Sequence, residues 1–391
     1  MNILYLSYDG ITDPLGQSQI LPYLNKISLK GVQYTLITFE KKKCHKNFID
    51  NSNIQWVKLR YHKNPAVLST LYDVSMGIFL GFYFLCARKV CLIHARGYVA
   101  ALIALTLKKI TGTKFIFDMR GFWVDERAEA GLWRKDGYLY KIAKFFEKIF
   151  FMQADAIVSL TAAAKRNIES FAYLKNRQLF IEVIPTCVDI DKFSFVTSKV
   201  SAKNENRFLF IYVGSISTWY MPEGLLDFFS VAKDKIANAH LMILTKEKQI
   251  AEDILKKRYP LWNEKLYSIR SAEYSDIPAY LMRARAGLAF YKPGYSRLAC
   301  SPTKLGEYLA CGLPVIINNG IGDSDEIIER ERVGAVIGEF NNREYEAAIS
   351  KIEILLSEKE TLKKRCMLAA LKYFSLYSGA EKYRNVYEQL L

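Results

Sequence analysis

Histidine is scarce in this chain and cysteine is scattered. There are four histidines and seven cysteines in 391 residues, with no C-x-x-C pair and no histidine cluster to complete a zinc site. The cysteines (Cys44, Cys86, Cys91, Cys187, Cys300, Cys311, Cys366) are odd in number and irregular in spacing, so they read as buried thiols in a reducing compartment and not as a disulfide framework. MNILYLSYDG at the amino terminus has no basic stretch and no small-residue cleavage site, so secretion is not expected. The longest weakly polar run, Val74 to Ala87, falls short of the about 18 to 20 residues of a membrane-spanning helix, and no transmembrane segment is expected. No G-x-G-x-x-G stretch marks a dinucleotide site. No basic stretch is interleaved with aromatics in the manner of the sheet-based RNA readers, so nucleic acid is not an expected partner.

Acidic residues are also short in supply. Lys and Arg number 55 against 40 Asp and Glu, a net charge of +15, which favours an anionic partner. The excess is uneven: residues 1–190 hold 26 Lys and Arg against 15 Asp and Glu, and the remainder holds 29 against 25. With 51% apolar and 14% aromatic residues the chain has ample material for a core, and its length suits two domains.

Short β-rich runs alternate with helical patterns throughout. NILYLSY, YTLITF, IQWVKLR, VCLIHA, KFIFDM, DAIVSL and FIEVIP form a first series. RFLFIYVG, HLMILT, LYSIRS, AGLAFY, LPVIIN and GAVIG form a second. Strands alternating with helices imply right-handed βαβ units and parallel sheets, hence an α/β chain of two doubly wound, Rossmann-like domains. The polar stretch from Ser194 to Arg207 suits a linker, giving domains at 1–195 and 196–370. Residues 371–391, with Tyr383, Val386, Tyr387 and Leu390 at helical spacing, form an expected terminal helix packed on the body.

The most informative stretch is YKPGYSRLACSPTKLGEYLACGLPVIINNGIGD, Tyr291 to Asp323. Ser301 as N-cap and Pro302 at the first helical position start a helix that stops at Gly312. Lys304 then sits in the first turn, where a cation opposes the helix dipole unless an anion binds there. Glu307 projects from the same face one turn on. A phosphate near Ser301, Pro302, Thr303 and Lys304, with a hydroxyl pair near Glu307, suits that geometry; the bland alternative is a crossover helix with a surface Lys–Glu pair.

This segment resembles the nucleotide-sugar-binding region of retaining glycosyltransferases of the GT-B fold, the large family four, through Glu307-Tyr-Leu-Ala-Cys-Gly-Leu-Pro-Val-Ile316. The resemblance implies two Rossmann-like domains facing a cleft, with the terminal helix crossing back to the first. It also implies that Glu307 holds the ribose hydroxyls and that Ser301 to Lys304 receive the diphosphate. Two departures stand out. The first glutamate of the family's E-x7-E pair is Ala299 here, and the family's Arg–Lys clamp after the first strand of the second domain is replaced by GSISTWYMPEG, Gly214 to Gly224. Lys304 must then neutralise the phosphates, with Lys292 and Arg297 as weaker candidates, while Trp219 and Tyr220 read as core or loop aromatics. Gly16 and Gln17, in a loop expected just before a helix, match the family's glycine loop facing the donor phosphate. Asp118 and Arg120, in KFIFDMRGFWVDERAEAG, stand where the family reaches toward the donor sugar; the bland reading is an ion pair ordering the loop. His94 and Arg96, in LIHARG, match the acceptor side. VIPTCVDIDKF, with Cys187 in place of a glycine and Asp189 at a hinge, and the glycine loop GIGDSDEII from Gly320 complete the resemblance.

The implied reaction is retaining transfer of a sugar from a UDP- or GDP-linked donor to a hydroxyl of a glycan or lipid-linked acceptor, in capsule, lipopolysaccharide or similar polysaccharide synthesis. Asp118, Arg120 and Lys304 are the implied catalytic residues, and neither metal nor cofactor is expected. The helix YLYKIAKFFEKIFFM, Tyr138 to Met152, puts Lys141, Lys144 and Lys148 on one face beside Phe145, Phe146, Ile149 and Phe150. That composition suits an interfacial helix, and with the basic first domain it makes an anionic membrane surface an expected partner of a peripheral cytoplasmic enzyme. The competing readings are a GT-B-fold sugar-nucleotide epimerase and a noncatalytic nucleotide-sugar-binding partner.

Overall fold

The computed structural model describes residues 1–29, 31–42, 49–194 and 207–391. Cys44 and all but the ends of the expected linker lie outside them. Each β-rich run named above is a strand. In the first sheet, β1 (Asn2–Ser7), β2 (Gln33–Glu40), β3 (Ile54–Arg60), β4 (Leu92–Arg96), β5 (Lys114–Asp118), β6 (Ala156–Ser159) and β7 (Ile181–Val183) lie in the order β3-β2-β1-β4-β5-β6-β7. In the second, β8 (Phe208–Val213), β9 (Ala239–Leu244), β10 (Tyr267–Arg270), β11 (Ala286–Ala289), β12 (Val315–Asn318) and β13 (Gly334–Ile337) lie in the order β10-β9-β8-β11-β12-β13. The pairings within both sheets are parallel. Central strands such as β11 and β12 are buried along their whole length, which is why their runs AGLAFY and LPVIIN read as apolar stretches and not as alternating ones.

Strand order reverses beside β1 in one sheet and beside β8 in the other, the positions where open α/β sheets bind ligands at strand carboxyl ends. In the first sheet the register aligns Ser7 with Arg96 and Arg96 with Asp118, so three polar residues form a row at that edge.

The chain separates into two compact units, Met1–Cys187 with Leu376–Leu391 and Val188–Ser375. These changeovers lie some residues before 195 and after 370. The chain re-enters the first unit at the break between helices Glu360–Phe374 and Leu376–Leu390. Tyr383, Val386, Tyr387 and Leu390 of the last helix are buried in the first unit's core with Tyr23 and Tyr34. Gly379 is required there, because a Cβ would sit 2.7 Å from Cys187 Sγ and 3.0 Å from the Tyr23 ring.

Three sequence expectations change. Gly16 is inside the helix Pro14–Gln19, whose first-turn proline starts it earlier than expected. The glycine is needed for packing, since a Cβ would lie 2.3 Å from Gly10 O and 2.4 Å from Ile11 Cα. The run beginning at Val74 belongs to a helix of 23 residues, Ala66–Arg88. By length and composition Val67–Arg88 is long and apolar enough to cross a membrane, and it carries an exposed thiol, Cys86. In the helix Tyr138–Gln153, Lys144 turns inward to Asp125 at 3.0 Å and to Glu147, and Phe150 is buried, while Tyr138, Leu139, Lys141, Ile142, Phe145 and Lys148 stay exposed.

In the second sheet, Gly287 of β11 lies under the Tyr308 ring, where a Cβ would come within 2.3 Å of that ring. Tyr308 is itself fixed by accepting the Val213 N–H at 2.9 Å. Gly287→Ala should therefore cost about 1 to 3 kcal/mol through overpacking, read as a lower denaturant midpoint with an unchanged slope. An unchanged midpoint would refute this packing argument.

Candidate functional site

In the second unit the chain leaves β11, passes Tyr291 and Lys292, makes one short helical segment at Tyr295–Ala299, and starts the helix Thr303–Ala310. Pro302 occupies the N-cap position and no side chain caps this terminus, so Ser301 lies one residue outside the place the sequence suggested. The uncapped start leaves backbone N–H groups of the first turn open to a ligand.

Lys304 is in that first turn, and it is buried. Among the described residues its Nζ has no hydrogen-bond partner. The ammonium instead lies 4.1 Å from the ring centroids of Tyr212 and Tyr220 and 5.5 Å from that of Tyr291. Tyr212 is on β8, and Tyr220 and Tyr291 form an isolated antiparallel bridge between the two following loops. Tyr291 is pinned by donating its N–H to Asn318 Oδ1 at 2.8 Å. A cage of ring faces attracts a cation but accepts no hydrogen bond from it in the way an oxyanion does. Burial accordingly pulls the Lys304 pKa down to about 7, against the opposing pull of Glu307. Gly214, at φ +127° after β8, allows the close approach, since its missing Cβ would sit 3.4 Å from Nζ.

Glu307 is buried on the same helix. Burial pushes its carboxyl up to about 7, while a hydrogen bond from Tyr274 and the charge of Lys304 act the other way. The two groups form a desolvated acid–base pair poised near neutrality, the kind of perturbation that concentrates at functional sites. The loop where the resemblance lacked an Arg–Lys clamp is closed by an internal carboxylate. Glu247 accepts from Ile216 N at 2.9 Å, Ser217 N at 3.1 Å and Ser215 Oγ at 2.7 Å, and these bonds hold it below its usual range despite the opposing effect of burial. Arg297 is buried with its guanidinium 5.3 Å from the Trp219 ring, and Lys292 is exposed on the surface. Among the expected cations, Lys304 is the one carried by the first turn of that helix.

The second constellation belongs to the first unit. Asp118, at the end of β5, is fully buried and accepts from Tyr383 Oη at 2.9 Å. His94 Nε2 stands 3.4 Å away, Arg96 Nη1 3.7 Å and Arg120 Nη1 3.9 Å. Although burial opposes ionisation, Arg120, His94 and Arg96 together hold the Asp118 carboxyl down to about 2. His94 is enclosed by Tyr5, Tyr383 and Tyr387, with Nδ1 2.7 Å from Tyr387 Oη, and burial lowers its pKa, so it is a neutral ring bracing Asp118. Arg120 has a left-handed backbone at φ 57° and is the member of this cluster with the most exposed side chain, 14%. Gln17 is exposed on the helix Pro14–Gln19 and bonds to Thr12 O at 3.3 Å. The neighbouring loop is clamped by Glu40, which accepts from Ile11 N at 2.9 Å and Thr12 N at 3.1 Å.

Sequence reasoning brought Ser301 to Lys304 and Glu307 together and grouped Asp118 with Arg120. It missed the cage of Tyr212, Tyr220 and Tyr291, the partner Tyr274 and the clamps Glu40 and Glu247, which are distant in sequence and carry no local motif.

Residues 195–367 match the family described as glycosyl transferases group 1. A search of the curated proteins finds no match. Among solved structures, sucrose-phosphate synthase from Thermosynechococcus elongatus matches with TM-score 0.72 at 14% identity, over 100% of this chain and 98% of that one. HepE from Anabaena, in complex with UDP and glucose, matches with TM-score 0.69 at 14% identity, over 99% of each chain. WaaG, a glycosyltransferase involved in lipopolysaccharide biosynthesis, matches with TM-score 0.68 at 13% identity, over 98% of this chain and 99% of that one. At such identities the likeness establishes the fold. Residues 195–367 are thus similar to the glycosyl transferases group 1, and the chain over its whole length has the GT-B fold of these structures.

Proposed function

We propose that the protein moves a sugar from a nucleotide diphosphate sugar to a hydroxyl of a glycan or lipid-linked acceptor, with retained anomeric configuration, in the synthesis of a cell-surface polysaccharide. The observation that carries this reading is the buried, unpartnered Lys304 ammonium one turn from buried Glu307 at an uncapped helix start. The donor diphosphate supplies the anion that this terminus lacks, and Ser301, Pro302 and Thr303 present it to the backbone N–H groups. Glu307 takes the ribose hydroxyls. As the C1–oxygen bond to the diphosphate breaks, Lys304 and the helix start stabilise the charge on the leaving group. The acceptor oxygen bonds to C1 on the same face, and its proton passes to the departing phosphate.

Asp118 and Arg120 are assigned to the sugar being moved, with Arg120 as the contacting group and Asp118 as its positioning partner; Arg96 is assigned to the acceptor. HepE binding UDP, and the part WaaG plays in lipopolysaccharide synthesis, support the donor class and the cell-surface role. The reaction is proposed to need no metal, so a chelator should leave turnover unchanged.

A thermal-shift and calorimetric comparison of UDP, GDP and ADP with their sugars tests the donor assignment. Glu307→Gln and Lys304→Met should each weaken binding of the preferred donor by about 10- to 100-fold, the loss of one or two charge-assisted hydrogen bonds. Unchanged affinity in both folded variants would remove the assignment. Analysis of the products separates the classes, because epimerised nucleotide sugar formed without acceptor would assign the chain to the epimerases.

Donor binding should also depend on pH. Burial pulls the Lys304 pKa down to about 7, and the group must carry its proton beside the diphosphate. Through loss of the Lys304 charge, affinity should fall by up to about tenfold per unit above that pH. Titration with UDP-glucose from pH 6 to 9 reads this slope, and Lys304→Met should flatten it.

A further inference from the structure

The helix Ala66–Arg88 is built inside out. A helix lying on a sheet turns its apolar stripe to the core and its polar residues to water. Here the inward side holds Ser69, Asp73, Gly77 and Gly81 alongside Val74, Phe84 and Leu85. The two glycines let the helix press on Ile103 and Leu107, whose side chains fill the place of the missing Cβ atoms at 2.6 Å each. Asp73 is the helix's acidic residue, and it is buried, accepting from Tyr8 Oη at 2.9 Å and facing His62 Nδ1 at 2.7 Å.

The outward side carries Leu68, Leu71, Tyr72, Phe79, Phe82 and Tyr83, all exposed, with Leu68 and Phe79 two-thirds accessible. Ser75 interrupts this row, but its hydroxyl is satisfied by donating to Leu71 O at 2.9 Å. No charge occurs between Val67 and Ala87 except Asp73. From Leu68 to Tyr83 the row runs about 22 Å along the axis, longer than the scattered apolar residues of an ordinary protein surface. Its ends are cationic and exposed, Lys63 before it and Arg88 with Lys89 after it, and among the described residues none of the three has a carboxylate partner.

We propose that this face is the protein's seat on a membrane: the helix lies flat in the interfacial region of a bilayer, its aromatic and aliphatic row among the acyl chains and its basic ends on anionic headgroups. Its inward contacts hold it against the first unit, so it lies on the bilayer and does not cross it. Charge selects lipid over a second copy of the chain. A two-fold pairing of this face would set Arg88 and Lys89 against Lys63 or against themselves, cation against cation, whereas an anionic surface satisfies both row and ends. The seat proposed here is Ala66–Arg88, a surface separate from the Tyr138–Gln153 helix that the sequence suggested, which also keeps Tyr138, Leu139, Ile142 and Phe145 exposed. It does not depend on the donor-site reading.

Sedimentation of the full chain tests it, with vesicles of phosphatidylcholine containing one quarter phosphatidylglycerol, at about 0.15 M salt. The wild type should pellet with these vesicles and less with pure phosphatidylcholine. The triple variant Leu71→Ser, Phe79→Ser, Phe82→Ser should lose about tenfold or more in partitioning, with melting temperature and UDP affinity kept, because all three positions are exposed. Phe79→Trp, a single conservative change, should show a blue shift in tryptophan emission on adding the anionic vesicles that the wild type does not show. Wild-type protein left in the supernatant, a triple variant that pellets as well as the wild type, or an emission from the Phe79→Trp variant that the vesicles leave unshifted would each overturn the proposal. A lipid-free dimer abolished by the triple variant would overturn it too, by giving the face to a second copy.

Discussion

The second unit's candidate site depends on one costly arrangement, an ammonium buried at the positive end of a helix and surrounded by tyrosine rings. Desolvation, the helix dipole and the lack of a hydrogen-bond acceptor all work against the charged form of Lys304. The ring faces and Glu307 recover part of that cost. An anion at the helix start would recover the rest, so the arrangement favours binding of negative charge over any neutral ligand. Tyr212, Tyr220, Tyr291 and Gly214 are all disposed around that ammonium.

The two units repeat a device that makes this arrangement necessary. In each, a glutamate at or after the end of the second strand of the sheet accepts the backbone N–H groups of the loop after the first strand: Glu40 holds Ile11 and Thr12, and Glu247 holds Ile216 and Ser217. These loops lie at the switch points of their sheets, where free N–H groups would otherwise attract phosphate. Since Glu247 already occupies the donors after β8, the proposed anion site is instead the terminus of Thr303–Ala310 with its lysine. That accounts in physical terms for a second unit lacking the Arg–Lys clamp that the resemblance led one to expect.

In the first unit the terminal helix does more than cover a core. Tyr383 and Tyr387 place hydroxyls against Asp118 and His94, so a segment far away in sequence helps hold the charged row at the sheet's edge in position. The same unit carries the outward apolar row of Ala66–Arg88, with the polar and glycine residues of that helix spent on its packing. Glycine, serine and a paired aspartate facing inward bring the helix close to its neighbours while leaving its bulky side chains for another surface.

Much of the fold is legible in the chain itself. Parallel strands buried on both faces must be continuous apolar runs, so YTLITF, LPVIIN and their counterparts could be read one after another, and Glu307 with Lys304 could be placed on one helical face from spacing alone. Local signals were less exact where two residues compete for one role: Ser301 looked like the cap, yet Pro302 takes that position, and Gly16 looked like a ligand-facing loop residue, yet Pro14 starts the helix before it. Sequence by itself determined the alternation of elements, the basic helix start and the excess of positive charge in the first half, because these follow from periodicity and composition. Only the tertiary structure decided which tyrosines enclose Lys304, which carboxylates close the loops, and which side of Ala66–Arg88 faces outward. Those depend on contacts between residues tens to hundreds of positions apart, where no local spacing carries the information.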